Sequence, residues 1–356
     1  MTKALGGMSR RVRTLVVAAA LFVVLLILAM TLPVPYIVLS PGPTCNTLST
    51  CDGEQVIQIL GRKPNPTSGN LNLTTVSYST SRLTVFDALR AWMQSDEVVV
   101  PRSSLFPPGQ TTQQVNTQNA NDFSASQDNA VVAAACELGY PKAFGVLSVL
   151  PKGPSKGKLT TGDVFKTVDG EPADTYAKLR AVLSTKQPGD QVAVVVRRNT
   201  SPTAGATRTV TVTLGKPPKG GKGGSLGITV PPEPECLPPF QVVLGLNNEI
   251  GGPSAGMMFA LGILDKVGKS DLTHGKFIAG TGTISSNGQV GPIGGIQLKM
   301  IAARNAGATV FLAPSGNCSD VTGAVPSGLQ VVKVSTLDDA VHALQAIQNG
   351  QSVPGC

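Results

Sequence analysis

The chain has 356 residues, 41% of them hydrophobic and 14% charged, which fits a globular protein of two or three domains with an added membrane segment. The net charge of +8 is not a nucleic-acid signature: Lys3, Arg10, Arg11 and Arg13 cluster at the N-terminus, and the other cations are scattered without aromatic interleaving. Two histidines and the lack of any Cys-x-x-Cys pair argue against a zinc site and limit histidine-based chemistry.

Residues 14–32 are an uncharged apolar run, long enough to cross a bilayer as a helix. The preceding cations place residues 1–13 in the cytoplasm and the bulk of the chain outside. Leu32-Pro33-Val34-Pro35 is not a cleavage site of the small-x-small kind, so the run reads as an uncleaved signal-anchor in the cell membrane. Residues 33–120 read as a β-rich extracytoplasmic region. Tyr36–Leu39, Val56–Leu60 and the alternating Asn70–Ser77 are its strands and Leu83–Met93 a short amphipathic helix. Cys45 and Cys51 could close a disulfide in an oxidising compartment; the other four cysteines are dispersed. The polar stretch Gln110–Asn121 reads as a mobile loop.

From 121 to 215 a module follows. A helix-like stretch (Asp128–Leu138) leads to Phe144–Leu150, then Leu159-Thr-Thr-Gly-Asp-Val-Phe-Lys-Thr-Val-Asp-Gly170, a helix (Thr175–Leu183) and strands over Gln191–Arg198 and Thr207–Leu214. This order resembles a PDZ domain of the bacterial protease type. The resemblance implies capture of an extended peptide at a sheet edge, with Ala143, Phe144, Gly145 and Val146 as the carboxylate-binding loop by position. Residues 216–224, rich in Lys, Gly and Pro, read as a flexible linker.

Residues 225–350 alternate strand and helix, an α/β unit. Within it Gly252-Pro253-Ser254-Ala255-Gly256 surrounds one serine with small residues just before an apolar helix. That gives room for a substrate backbone and free N–H groups for an oxyanion. Lys299 falls in the first turn of a helix with apolar Leu298, Ile301 and Ala302. Partial desolvation there lowers its pKa and leaves a neutral amine able to act as base. The Gly-Pro-Ser-Ala-Gly segment, Thr281-Gly282-Thr283-Ile284, Pro292–Gly295 and Lys299, with Asn317 and Asp320 beyond, resemble the proteolytic domain of Lon peptidases. The resemblance implies Ser254 as nucleophile, Lys299 as general base and Thr281 as the group orienting the lysine, with Gly252, Pro253 and Gly256 shaping the turn.

The whole order resembles the membrane-anchored, PDZ-containing Lon-like proteases of Gram-positive bacteria: an α/β (α+β) Lon-type domain plus a PDZ domain after one transmembrane helix. The sequence departs from the Lon pattern at Gly252 and Thr283, where the family often carries acidic residues. The nearest nucleotide-binding string, Gly262–Ser270, has Ile263 where a P-loop needs glycine, so no nucleotide, cofactor or metal is expected. Expected partners are unfolded or membrane-associated protein substrates and the lipid bilayer. Lon-type domains often form rings, and tethering permits a homo-oligomeric one. Two rivals stand. Gly252–Gly256 also fits the nucleophile elbow of α/β-hydrolases, with Asp320 or Asp339 and then His342 in the required order, and the chain could be an inactive PDZ scaffold.

Overall fold

A 22-residue helix, α1 (Arg10–Thr31), opens the described part of this computed structural model, which comprises residues 9–79, 81–198, 207–218, 220–246 and 251–356. Residues 1–8 of the expected tail, Lys219 of the expected linker and residues 247–250 lie outside it. The main elements that follow are β1 (Tyr36–Asn46), β2 (Ile57–Leu60), β3 (Asn70–Tyr78), α2 (Val85–Trp92), β4 (Val98–Pro101), α3 (Thr112–Glu137), β5 (Asp163–Val168), α4 (Tyr176–Ser184), β6 (Gln191–Arg198), β7 (Thr207–Thr213), β8 (Gln241–Leu244), α5 (Gly256–Val267), β9 (Phe277–Gly280), α6 (Ile296–Asn305), β10 (Val310–Pro314), β11 (Gln330–Val334) and α7 (Leu337–Gln348). They cohere as two units, residues 1–43 with 76–115 and residues 44–75 with 116–356.

In the first unit, α1 carries Arg10, Arg11 and Arg13 in its first turn, is uncharged beyond them, and buries no residue against protein. It is the one helix among the described residues long and apolar enough to cross a membrane. Tyr36–Leu39 of β1 pair antiparallel with β4. Helix α2 starts on a capping box: the Thr84 hydroxyl accepts from the Asp87 N–H, and the Asp87 carboxylate accepts from the Thr84 N–H.

The second unit is built on a parallel sheet in the order β11, β10, β9, β3. The central strands β9 and β10 are short apolar runs, as strands covered on both faces require. Alternation sends Ile278, Val310, Leu312, Val332 and Val334 to one face, where they pack with α5, α7 and the buried side of α3. Ala279, Phe311 and Ala313 point to the other face, against Ile296, Met300 and Ala303 of α6. All twelve residues of α5 are buried, so this helix is the centre of the core.

Three expectations are corrected. Residues 33–120 are not a self-contained β-rich region. Asn70–Leu73 pair in parallel with β9, β2 pairs with β8, and Leu48, Val56, Ile57, Leu71 and Leu73 lie in the same core as α5. The residues expected to be a mobile loop begin α3 instead. Thr111 and Gln114 cap it reciprocally, and its C-terminal half (Ala130, Val131, Ala133, Ala134) is pulled into the core. The stretch read as a linker does not space two domains. Gly215 and Ser225 bond each other in both directions, the Gly224 N–H donates to the Leu183 carbonyl, and a Cβ at Gly223 would collide with that carbonyl. Leu226, Ile228 and Val230, expected in the α/β domain, instead pack with Leu179, Leu183, Val194 and Val212. They belong to the sheet-and-helix body formed by β5, β6, β7 and α4.

Three disulfides join Cys45 to Cys51, Cys136 to Cys236 and Cys318 to Cys356. The second closes 100 residues and ties the end of α3 to the segment that leaves the β5–β7 body. Opening a loop of that length by Cys136→Ser with Cys236→Ser is expected to cost about 2–5 kcal/mol. Denaturant unfolding of the oxidised double variant beside the wild type reads that loss.

Candidate active site

Ser254 lies in a single 3₁₀ turn, Pro253–Ala255, that feeds directly into α5. Gly252 enters the turn at φ +86°, a left-handed conformation that β-carbons disfavour, and Pro253 fixes the next φ. The turn is held from two sides. The Ser254 carbonyl accepts from the Gly282 N–H (2.8 Å) and the Thr281 hydroxyl (3.0 Å), and the Met257 N–H donates to the Gly282 carbonyl. From the other side, the Ser126 hydroxyl donates to the Pro253 carbonyl (2.9 Å), and the Gly252 N–H donates to the Asn119 carbonyl. Asn129, one turn further along α3, donates to the Ile284 carbonyl.

Lys299 projects from the first turn of α6, which follows Gly295 in the left-handed region. The loop before it is bolted down by Asn317, whose side chain accepts from the Ile293 N–H and donates to the Ile293 carbonyl, both at 2.9 Å. Gln297 donates to the Asp320 carbonyl. Lys299 Nζ comes 2.7 Å from Ser254 Oγ and 2.9 Å from Thr281 Oγ1. Its side chain is 3% exposed, and burial alone pushes its pKa down to about 7. The Thr281 hydroxyl is fully buried and directs its own proton to the Ser254 carbonyl, so its lone pairs face the amine. A neutral Lys299 that donates one N–H to Thr281 keeps its lone pair free for the Ser254 proton. Ser254 itself is half-buried.

The residues of the rival hydrolase triad are otherwise engaged. The Asp339 carboxylate accepts from the Ser335 and Thr336 N–H groups as the cap of α7. His342 is an exposed partner of Asp338 one turn before it. Gly252, Pro253, Ser254, Gly256, Thr281 and Lys299 converge, as described. The second of the turn's two supports was missed: Ser126, Asn119 and Asn129 come from α3, upstream of the domain, and no motif in the sequence marks them.

In the expected peptide loop Phe144 and Val146 are buried, and the segment is paired on one side along its length and on the other at its two ends. On one side Val146 and Phe144 bond Asp163 and Phe165. On the other, Ala143 pairs with Glu235, Ser148 with Thr229 and Val149 with Ile228. Among the described residues, these pairings take up the second edge at Ala143 and at Ser148–Val149.

Residues 249–346 match the family model of the Lon protease (S16) C-terminal proteolytic domain, and residues 115–214 match that of the PDZ domain. The chain therefore combines a PDZ domain with a Lon-type proteolytic domain, which is of the serine endopeptidase class. Over 98 residues it is 39% identical to a Lon protease of Lachnoclostridium phytofermentans, covering 26% of this chain and 12% of that one. To a Lon protease of Syntrophomonas wolfei the identity is 34% over 136 residues, 32% of this chain and 16% of the relative. To Lon protease 2 of Bacillus subtilis it is 35% over 95 residues, 27% and 17%. The chain thus spans less than a fifth of the length of these relatives. Among solved structures, the PDZ domain of an SdrC-like protein from Listeria monocytogenes aligns at 21% identity and TM-score 0.22, covering 25% of this chain and 88% of that one.

Proposed function

We propose that this chain is a membrane-anchored serine endopeptidase that works without ATP through a Ser254–Lys299 dyad. The observation that carries the reading is the 2.7 Å approach of a buried lysine, with its pKa brought down to about 7, to a serine hydroxyl in a substrate-accessible turn. Ser254 Oγ attacks the scissile carbonyl while Lys299 Nζ takes its proton. The developing oxyanion meets Ser254's own N–H, the first that the turn offers after Pro253. Lys299 returns the proton to the leaving amine, and a water activated by the same amine hydrolyses the acyl-enzyme. Thr281 keeps the amine on line.

Helix α1 anchors the chain with its N-terminus in the cytoplasm, supported by the cations at its start and by side chains that bury nothing against protein. The PDZ domain recruits unfolded or membrane-associated proteins. Its peptide-accepting edge is Leu226–Val230, which covers the Ser148–Val149 edge on one side and borders α4. The opposing reading is an inactive PDZ scaffold. The test is cleavage of unstructured casein by the full chain in lipid nanodiscs. Cleavage that disappears in Ser254→Ala supports the peptidase. Cleavage that survives this change removes Ser254 from the mechanism, and an inert wild type favours the scaffold.

A further inference from the structure

Helix α2 leaves a large apolar face uncovered. Phe86, Leu89, Trp92 and Met93 are 43, 53, 76 and 83% exposed, while Ala91 on the opposite side is buried. At about 100° per residue these four side chains, with Arg90 at their margin, share one side of the helix. The position of this helix is fixed. The Val85 N–H donates to the Leu32 carbonyl (3.3 Å), the Val34 N–H donates to the Leu83 carbonyl (2.9 Å), and Pro33 bridges Thr84. Leu32 is the last residue of the apolar run that α1 carries, so the start of α2 is stapled to the point where that run ends.

We propose that α2 is a membrane-interface helix: its Phe86–Leu89–Trp92–Met93 face enters the outer leaflet beside the end of α1. This rests on the reading of α1 as a membrane span. Eight residues rise only about 12 Å, so a helix starting where the hydrocarbon ends stays within or next to the headgroup layer. Tryptophan and phenylalanine are the side chains that favour that layer, and an amphipathic helix with an apolar face of this kind lies in it. Arg82 and Arg90, both exposed, are placed to meet anionic headgroups. A protein occupant would have to reach a face held at the membrane surface, whereas lipid is present there at every moment.

Trp92 is the only tryptophan of the chain, so its emission reports on this face alone. The full chain is placed in nanodiscs whose phospholipids carry bromine on the upper acyl carbons, and membrane integration is followed separately by carbonate extraction of cell membranes. The proposal expects carbonate resistance together with loss of roughly half or more of the Trp92 emission to bromine, as for an interfacial indole. In Phe86→Glu/Leu89→Glu the emission should redden and the quenching fall while carbonate resistance persists. Carbonate resistance with an unquenched, red-emitting Trp92 overturns the proposal and leaves α1 as a span. An indole unquenched by bromine yet shielded from aqueous iodide means that protein covers the face, and the proposal falls. Release of the wild type by carbonate overturns the reading of α1, and the proposal with it.

Discussion

Ser254→Ala, Lys299→Met and the double variant should be equally inactive toward casein, each down about 1,000-fold or more, because nucleophile and base act as one unit. Additive losses in the double variant would mean that the two side chains act separately. Lys299→Arg should be as inactive as Lys299→Met, since a guanidinium cannot give up its proton to become a base. The pH profile carries the stronger test. With the amine pKa brought down to about 7 by burial, the active neutral form fills as pH rises. The rate should climb about tenfold per pH unit below 7 and level off above about 8. A limb near the ordinary lysine value would show an amine that stays solvated.

The same burial has a stability consequence whose sign is opposite to that of an ion pair. Between pH 7 and 10.5 the unfolded chain holds a proton on Lys299 that the folded one has lost. Stability therefore rises with pH through that window, and below it the fold carries the full penalty of a buried charge, at most about 5 kcal/mol. Lys299→Met should accordingly unfold at higher temperature than the wild type at neutral pH while being inactive, a pairing that a merely misfolded variant cannot give.

Local chemistry was legible in the sequence where a residue's role depends on its neighbours in the chain. Gly252 to Gly256 announces a tight turn into a helix, and the apolar company of Lys299 announces burial; both hold in the structure. Boundaries set by long-range pairing were not legible. Nothing in Asn70–Leu73 says that it lies beside Phe277–Gly280, some 200 residues on, because parallel partners share no turn. Composition misled at 216–224, where Gly, Pro and Lys mark a tight return rather than a spacer: the constraint comes from the Leu183 carbonyl, which the stretch itself does not reveal. The start of α3 was hidden because its first turns are almost wholly polar, Val115 aside. Its helical character rests on the Thr111–Gln114 cap and on an apolar second half.

Gly256→Ala should lower casein cleavage about 100-fold with a stability loss of about 1–3 kcal/mol, although the change adds one methyl group. A Cβ at this position would stand 2.5 Å from Ser126 Oγ and 2.7 Å from Ile284 Cγ2, closer than real contacts allow. Residue 256 is the first of α5, two after Ser254, so relief by shifting the helix start moves the nucleophile away from Lys299; relief by pushing α3 breaks the Ser126 bond to Pro253. Gly252 behaves differently. A methyl group there would meet nothing within 4 Å, and the cost of Gly252→Ala is the backbone alone, a positive φ with extended ψ that only glycine adopts freely, about 1–3 kcal/mol. The two flanking glycines thus separate steric from conformational necessity. Adding Ser126→Gly to Gly256→Ala removes the nearer of the two clashes and should restore part of the activity, whereas added to Gly252→Ala it should only lose the Pro253 bond and lower activity further. Equal effects of Ser126→Gly in the two backgrounds would show that α3 does not brace the nucleophile turn.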